Sequence, residues 1–158
     1  MSELTAVDQS LIETATAAIR DRYRPGVERT SRSVGAALRT DSGEVYTGVN
    51  LTAATPRASV CAEPIAVGAA VTAGDLDFET IVSVKYSPDT SLRASESMTE
   101  NGAEAVVISP CGVCRELIRD YDPTTEVIVK ENDGLTKIKV VDLLPELGWR
   151  GAGPPDSE

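Results

Sequence analysis

The chain contains no histidine. That absence excludes Ser-His-Asp and Cys-His catalysis, and with them any zinc site that uses an imidazole ligand. Cysteine, carboxylates, tyrosine, lysine, arginine or a cofactor must carry whatever chemistry occurs. Cysteine itself is scarce. There are three, an odd number, and two of them, Cys111 and Cys114, sit too close together for a secreted disulfide framework. In a reducing compartment that pattern favours metal binding or catalysis. No run approaches 18 uninterrupted apolar residues, so no membrane span is expected. Met1-Ser2-Glu3-Leu4 lacks the basic and apolar regions of a signal peptide, which points to the cytoplasm. Lysine is also sparse, four against 11 arginines and 25 acidic residues. The net charge of −10 leaves no basic face for a nucleic-acid backbone. Many acids with few lysines fits a salt-adapted protein, and equally an ordinary soluble acidic surface.

What is present suits one domain. The 158 residues, 41% of them apolar, are enough for a real core. The spacing predicts a single domain over 1–148, with a Gly/Pro-rich tail over 149–158. Leu11, Ile12, Ala15, Ala18 and Ile19 recur at helical spacing, giving a helix over about 5–23 that Pro25-Gly26 ends. Val34 to Leu38 and Val45 to Leu51 read as strands of a hairpin turned at Asp41-Ser42-Gly43. Gly35 and Gly48 signal either close backbone approach or a bulge. Residues 61–73 are apolar on nearly every face, a helix expected to be covered on both sides and stopped by Gly74. Strands follow at 80–86 and 105–109, separated by a polar loop over 88–103. A helix over about 111–121 comes next, then strands at 126–130 and 135–140 around Asn132-Asp133-Gly134. A short helix over 141–147, broken by Pro145, closes the series. Strands joined through helices imply a parallel pair, and the first hairpin supplies an antiparallel edge. The expected architecture is α/β, three layers (α-β-α), with a mixed sheet of about five strands.

Cys61 and Cys111 each stand where an apolar helix begins. Unpaired N–H groups and the partial positive charge there stabilise thiolates, the metal-binding form. Cys111 and Cys114 are one helical turn apart and can face one point, which Cys61 reaches from the other helix. Three sulfurs leave one tetrahedral position open, as in catalytic zinc sites, whereas structural zinc takes four ligands. Glu63 lies within the first turn after Cys61, placed to serve as a proton shuttle beside a zinc that lowers its water's pKa towards ~7. Taken singly, each feature has a plainer reading. Cys-x-x-Cys can be a redox pair or buried packing, Cys61 a core cysteine, and Glu63 an acid complementing the helix dipole. Jointly, with no spare cysteine, they make a zinc site.

The segments Ser33 to Leu38, Thr47-Gly48-Val49-Asn50, Cys61-Ala62-Glu63 and Ser109-Pro110-Cys111-Gly112-Val113-Cys114-Arg115 resemble the cytidine deaminase superfamily over roughly residues 5–148. The Cys-x-Glu and Pro-Cys-x-x-Cys pairing matches the zinc deaminase signature. The run from Cys114 through Ile118 to Asp120-Tyr121, with Leu143-Leu144-Pro145, is similar to blasticidin S deaminases in particular. The resemblance implies one Zn²⁺ per subunit held by Cys61, Cys111 and Cys114, and Glu63 as the catalytic proton shuttle. It also implies a homotetramer whose active sites neighbouring subunits complete. The implied reaction is hydrolysis of a 4-amino pyrimidine to its 4-oxo form with release of ammonia. Main-chain groups near Ala62, Ser109 and Pro110 would hold the base, and Asn50 the ribose. Trp149 stands where blasticidin S deaminases place C-terminal aromatics near substrate; a lone tryptophan can equally be packing or an interface anchor.

Three positions depart from the family pattern. Thr52 replaces a glutamate that grips the sugar, the place of an aromatic residue near the base falls close to Arg32, and Pro64 replaces an arginine that offsets thiolate charge. Arg57 or Arg115 could supply that charge, or could serve in surface salt bridges. The expected function is therefore zinc-dependent deamination of cytidine or a related cytosine nucleoside. An aminoacyl-nucleoside antibiotic such as blasticidin S is the alternative substrate. A non-catalytic nucleoside-binding homologue and a thiol redox or structural zinc module are the competing classes.

Overall fold

The computed structural model describes residues 4–23, 33–87, 105–131 and 134–144. Helix α1 spans Ala6–Arg20 and opens with a capping box. The Thr5 side chain accepts from the Asp8 N–H at 3.3 Å, and the Thr5 N–H donates to Asp8 Oδ2 at 2.9 Å. Strands β1 (Val34–Thr40) and β2 (Val45–Val49) form the hairpin, and α2 spans Ala62–Ala73. Then follow β3 (Phe78–Tyr86), β4 (Ala105–Ile108), α3 (Gly112–Tyr121), β5 (Glu126–Glu131) and β6 (Gly134–Lys139). A 3-10 turn, Val140–Leu143, stands where the short last helix was expected. Gly74 ends α2 with φ 81°, the left-handed stop that glycine permits. The Pro25-Gly26 stop, Arg32, the 88–103 loop, most of the 132–134 turn, Pro145 and Trp149 lie outside the described residues.

The sheet has six strands in the described residues, where about five were expected. Its order is β2-β1-β3-β5-β6, and β4 also pairs with β3. β1 occupies one edge of β3 antiparallel along nearly its whole length. The other edge is shared end to end. Thr80 to Val82 pair in parallel with β5, and Ser83 to Tyr86 pair antiparallel with β4. The expected parallel pair is therefore β3–β5. The two strands that α2 joins, β2 and β3, are not neighbours, because β1 lies between them. The ladder changes partner between Val82 and Ser83. Ile108 pairs with Ser83 there, and the chain leaves the sheet into the Cys111 loop.

Helices cover both faces. On one side Leu11, Ala15 and Ile19 of α1 pack on Ala37, Val82, Val84 and Ile128. On the other, Ala66, Val67 and Ala70 of α2 and Ile118 of α3 pack on Ala36, Leu38, Ile81 and Val127. These residues alternate along the strands, as a two-faced sheet requires. Gly35 and Gly48 are sites of close approach. A Cβ on Gly35 would meet the Ala15 carbonyl of α1, and one on Gly48 the Ala62 carbonyl of α2. Among the described residues α2 is covered on one side, and Gly68, Ala69, Thr72 and Ala73 on it are exposed. Among the described residues no helix is long and apolar enough to cross a membrane.

Candidate active site

Two helix starts bring the cysteines together. Cys61 is the N-cap of α2 and Cys111 the N-cap of α3, with nearly the same backbone geometry (φ −65°, ψ 166° and φ −67°, ψ 166°). Cys114 is the third residue of α3, facing back towards Cys111. Pro64 is tolerated in the first turn of α2 because the N–H it lacks would have no helical partner there. Cys61 itself is placed by a two-residue bridge. Leu51 and Val60 exchange backbone hydrogen bonds at 2.8 and 2.9 Å, which closes the loop between them and brings Asn50 to the same end as Cys61.

Cys111 Sγ lies 3.5 Å from Cys114 Sγ and 4.0 Å from Cys61 Sγ, and all three sulfurs fall within 4.8 Å of one another. A tetrahedral zinc with Zn–S bonds near 2.3 Å sets its sulfurs about 3.8 Å apart. The cluster fits. Cys61 and Cys111 reach the surface, while Cys114 is buried. Burial, and after it the charge of Glu63, push the Cys114 thiol far above its ordinary range. Burial also raises Cys61, against a hydrogen bond from Cys114. Burial opposes ionisation of Cys111 as well, but hydrogen bonds from Cys114, Cys61 and the Val113 N–H outweigh it and hold this thiol below its usual value. Three such thiols cannot all ionise side by side without a cation among them. Zinc meets that requirement, with Cys61, Cys111 and Cys114 as its donors.

Glu63, second residue of α2, is 3% exposed, and its Oε2 accepts from the Cys114 thiol at 3.6 Å. A pocket of about 310 Å³ opens over it. Its walls include Cys61, Ala62, Glu63, Ser109, Cys111 and Asn50. Asn50 Oδ1 accepts from the N–H groups of Ser33 (3.0 Å) and Val34 (2.9 Å), so only its amide hydrogens are free for other partners. One of these is directed to Thr52 Oγ1 at 3.4 Å. Pro110 is buried and does not line the pocket; its carbonyl accepts from Arg115 Nε at 2.8 Å. Arg57 is exposed on the 3-10 turn Pro56–Ala58 and also stays off the wall. Sequence reasoning passed over the apolar lining, Val34, Leu51, Val60 and Ile108. Strand-end positions were the available signal, but only the bridge at Leu51 and the end of β4 turn them towards Cys61.

With this geometry in place, the comparisons with known proteins are decisive for the family. The family described as the cytidine and deoxycytidylate deaminase zinc-binding region matches residues 5–131. The chain belongs to this family of zinc-binding hydrolases. It is 40% identical over 142 residues to blasticidin-S deaminase of Bacillus cereus, covering 87% of this chain and 89% of the relative. It is 31% identical over 114 residues to a probable cytidine deaminase of Dictyostelium discoideum, covering 72% and 67% respectively. Among solved structures it is similar to cytidine deaminase from Burkholderia pseudomallei, with TM-score 0.63, 31% identity, and coverage of 90% of this chain and 98% of the other.

Proposed function

We infer that the protein hydrolyses the 4-amino group of a cytosine nucleoside, giving the 4-oxo form and ammonia. The observation that carries this is the position of Glu63, buried beside the three-sulfur cluster and facing the pocket. When bound, zinc lowers the pKa of a coordinated water to about 7 and so supplies a nucleophile at neutral pH. Glu63 Oε2 takes the proton lost by the attacking water, delivers it to ring N3, and passes a second to the departing amine. Each water consumed leaves its oxygen on C4 and its hydrogens on ammonia and the restored ring. Main-chain groups of Ala62 and Ser109, both in the pocket wall, hold the base edge. Asn50 can offer only N–H donors to the sugar, because its oxygen is committed to Ser33 and Val34.

A second reading, an aminoacyl-nucleoside antibiotic as substrate, is favoured by the 40% identity to a blasticidin-S deaminase. Incubating the purified protein with cytidine, deoxycytidine, cytosine, dCMP and blasticidin S, and following loss of the 4-amino absorbance band, separates the two. Turnover of cytidine supports the first, turnover of blasticidin S alone the second, and a zinc-loaded protein inert to all five overturns the enzymatic reading of the substrate class.

We also read the protein as a cytoplasmic homotetramer. Support for the assembly comes from the exposed apolar surface of a single chain: Ala69 and Ala73 on α2, Leu51 at the pocket, and Val113, 77% exposed, on the first turn of α3. Trp149 would then act near substrate or at the interface. The mass in solution by light scattering tests the assembly.

A further inference from the structure

Arg115 follows the last cysteine on the first turn of α3, and its side chain does not run out to solvent. Nε donates to the Pro110 carbonyl at 2.8 Å, and Nη1 donates to the Leu143 carbonyl at 3.0 Å. Its backbone N–H donates to the Cys111 carbonyl at 3.0 Å. One residue thus holds the chain on both sides of Cys111. The Pro110–Cys111 peptide is planar and trans, so fixing the Pro110 oxygen fixes the plane that carries the Cys111 nitrogen. The far anchor is firm. Leu143 closes the 3-10 turn whose first residue, Val140, is fully buried and donates its N–H to the Thr125 carbonyl at 2.9 Å.

The geometry points to Arg115 as a positioning residue for the metal loop. It preorganises Cys111 against Cys114 and ties that pair to the turn at Leu143. It touches neither substrate nor reacting atoms. The inference rests on the zinc-site reading but adds to it a residue outside the ligand set. Lysine cannot replace it, because two carbonyls in different directions require the rigid fork of a guanidinium. Groups that orient metal ligands typically contribute about 10–100-fold in metal affinity.

The test strips metal from wild type, Arg115→Lys and Arg115→Gln and titrates Co²⁺, following the thiolate-to-cobalt charge-transfer absorbance. Zinc loss to a chromophoric chelator is timed in parallel. Both variants should bind Co²⁺ about 10–100-fold more weakly and release zinc faster. The thermal midpoint of the metal-free protein should stay near that of wild type, and the KM of the fully loaded variants should be unchanged. Ethylguanidinium added to Arg115→Ala should restore part of the affinity. Cobalt affinity equal to wild type, or a loss only in proportion to a lowered midpoint of the metal-free protein, would overturn the inference. Wild type that gives no charge-transfer band at all would instead remove the zinc site on which it rests.

Discussion

Cys114 Sγ and Glu63 Oε2 lie 3.6 Å apart across the first turns of two different helices, and the thiol hydrogen makes the contact a hydrogen bond. Once Cys114 gives up that hydrogen to become a ligand, thiolate and carboxylate face each other in a buried place. A divalent cation held by Cys61, Cys111 and Cys114 would offset that repulsion, which the proton-handling role proposed for Glu63 requires.

Replacing Glu63 by glutamine keeps its shape and removes its base. The variant should retain zinc, measured by elemental analysis, and lose about 10³-fold in kcat. Full activity would sink the shuttle assignment.

Zinc uptake should be coupled to protons. Cys61 and Cys114 are held above the ordinary thiol value of 9.0, so both carry hydrogen at neutral pH. Binding at pH 7 should release roughly two to three protons, and affinity should fall as pH falls. Calorimetry in two buffers of different ionisation heat counts them.

One pair of substitutions separates the structural contacts of Asn50 from the substrate contact proposed for it. Asn50→Asp still accepts from the Ser33 and Val34 N–H groups but cannot donate. Its thermal midpoint should hold while KM rises about tenfold, the scale of one lost hydrogen bond. Asn50→Ala should lose stability as well, by about 1–3 kcal/mol, because two N–H groups lose their acceptor.

Gly48 is a sensitive point for the site although it is not part of it. A Cβ there would meet the Ala62 carbonyl, with Ala66 N at 2.6 Å and Ile65 Cβ at 2.9 Å. These atoms belong to the first turns of α2, the segment that carries Glu63. Gly48→Ala should therefore destabilise by about 3 kcal/mol and lower kcat together. Denaturant unfolding and steady-state kinetics check the pair.

On the α1 face of the sheet, Arg39 bridges Asp8 at 3.2 Å and Glu79 at 2.6 Å, and Lys137 lies 3.5 Å from Asp8. Burial pushes the Asp8 carboxyl up, but hydrogen bonds from Thr5 and Arg39 and the charge of Lys137 overcome it and hold the group below 3.8. A carboxylate depressed in this way stabilises the fold fully above about pH 4, and that stability fades as pH falls through the lower folded value. Asp8→Asn should flatten the decline of the thermal midpoint as pH falls below about 4. Asp8→Ala should cost about 3 kcal/mol at neutral pH, towards the low end for a broken buried pair because Glu79 still partners Arg39.

Much of this molecule was legible in the chain. Helical spacing located α1, an uninterrupted apolar run located α2, Pro110 marked the start of α3 and Gly74 a helix end, and the Cys61, Cys111 and Cys114 spacing announced their convergence, because helix starts and one-turn intervals are local properties. The sharing of one edge of β3 by β4 and β5 was not legible. Pairing partners are chosen by long-range packing, and the apolar runs of both strands look alike in sequence. Arg115 was legible only as a nearby positive charge. Its role between two carbonyls depends on Leu143, 28 residues away along the chain.

The sequence by itself determined the class of chemistry. Without histidine, three cysteines and one carboxylate at helix starts leave a zinc centre with an open position as the reading that uses them all. Tertiary structure decided what surrounds that centre: Pro110 turned away from the pocket, Asn50 reduced to a donor, and Gly48 pressed against the turn that holds Glu63. Residue type and short spacing specify which atoms can react. Which carbonyl or amide is already engaged depends on neighbours that only the packed sheet and helices bring into reach.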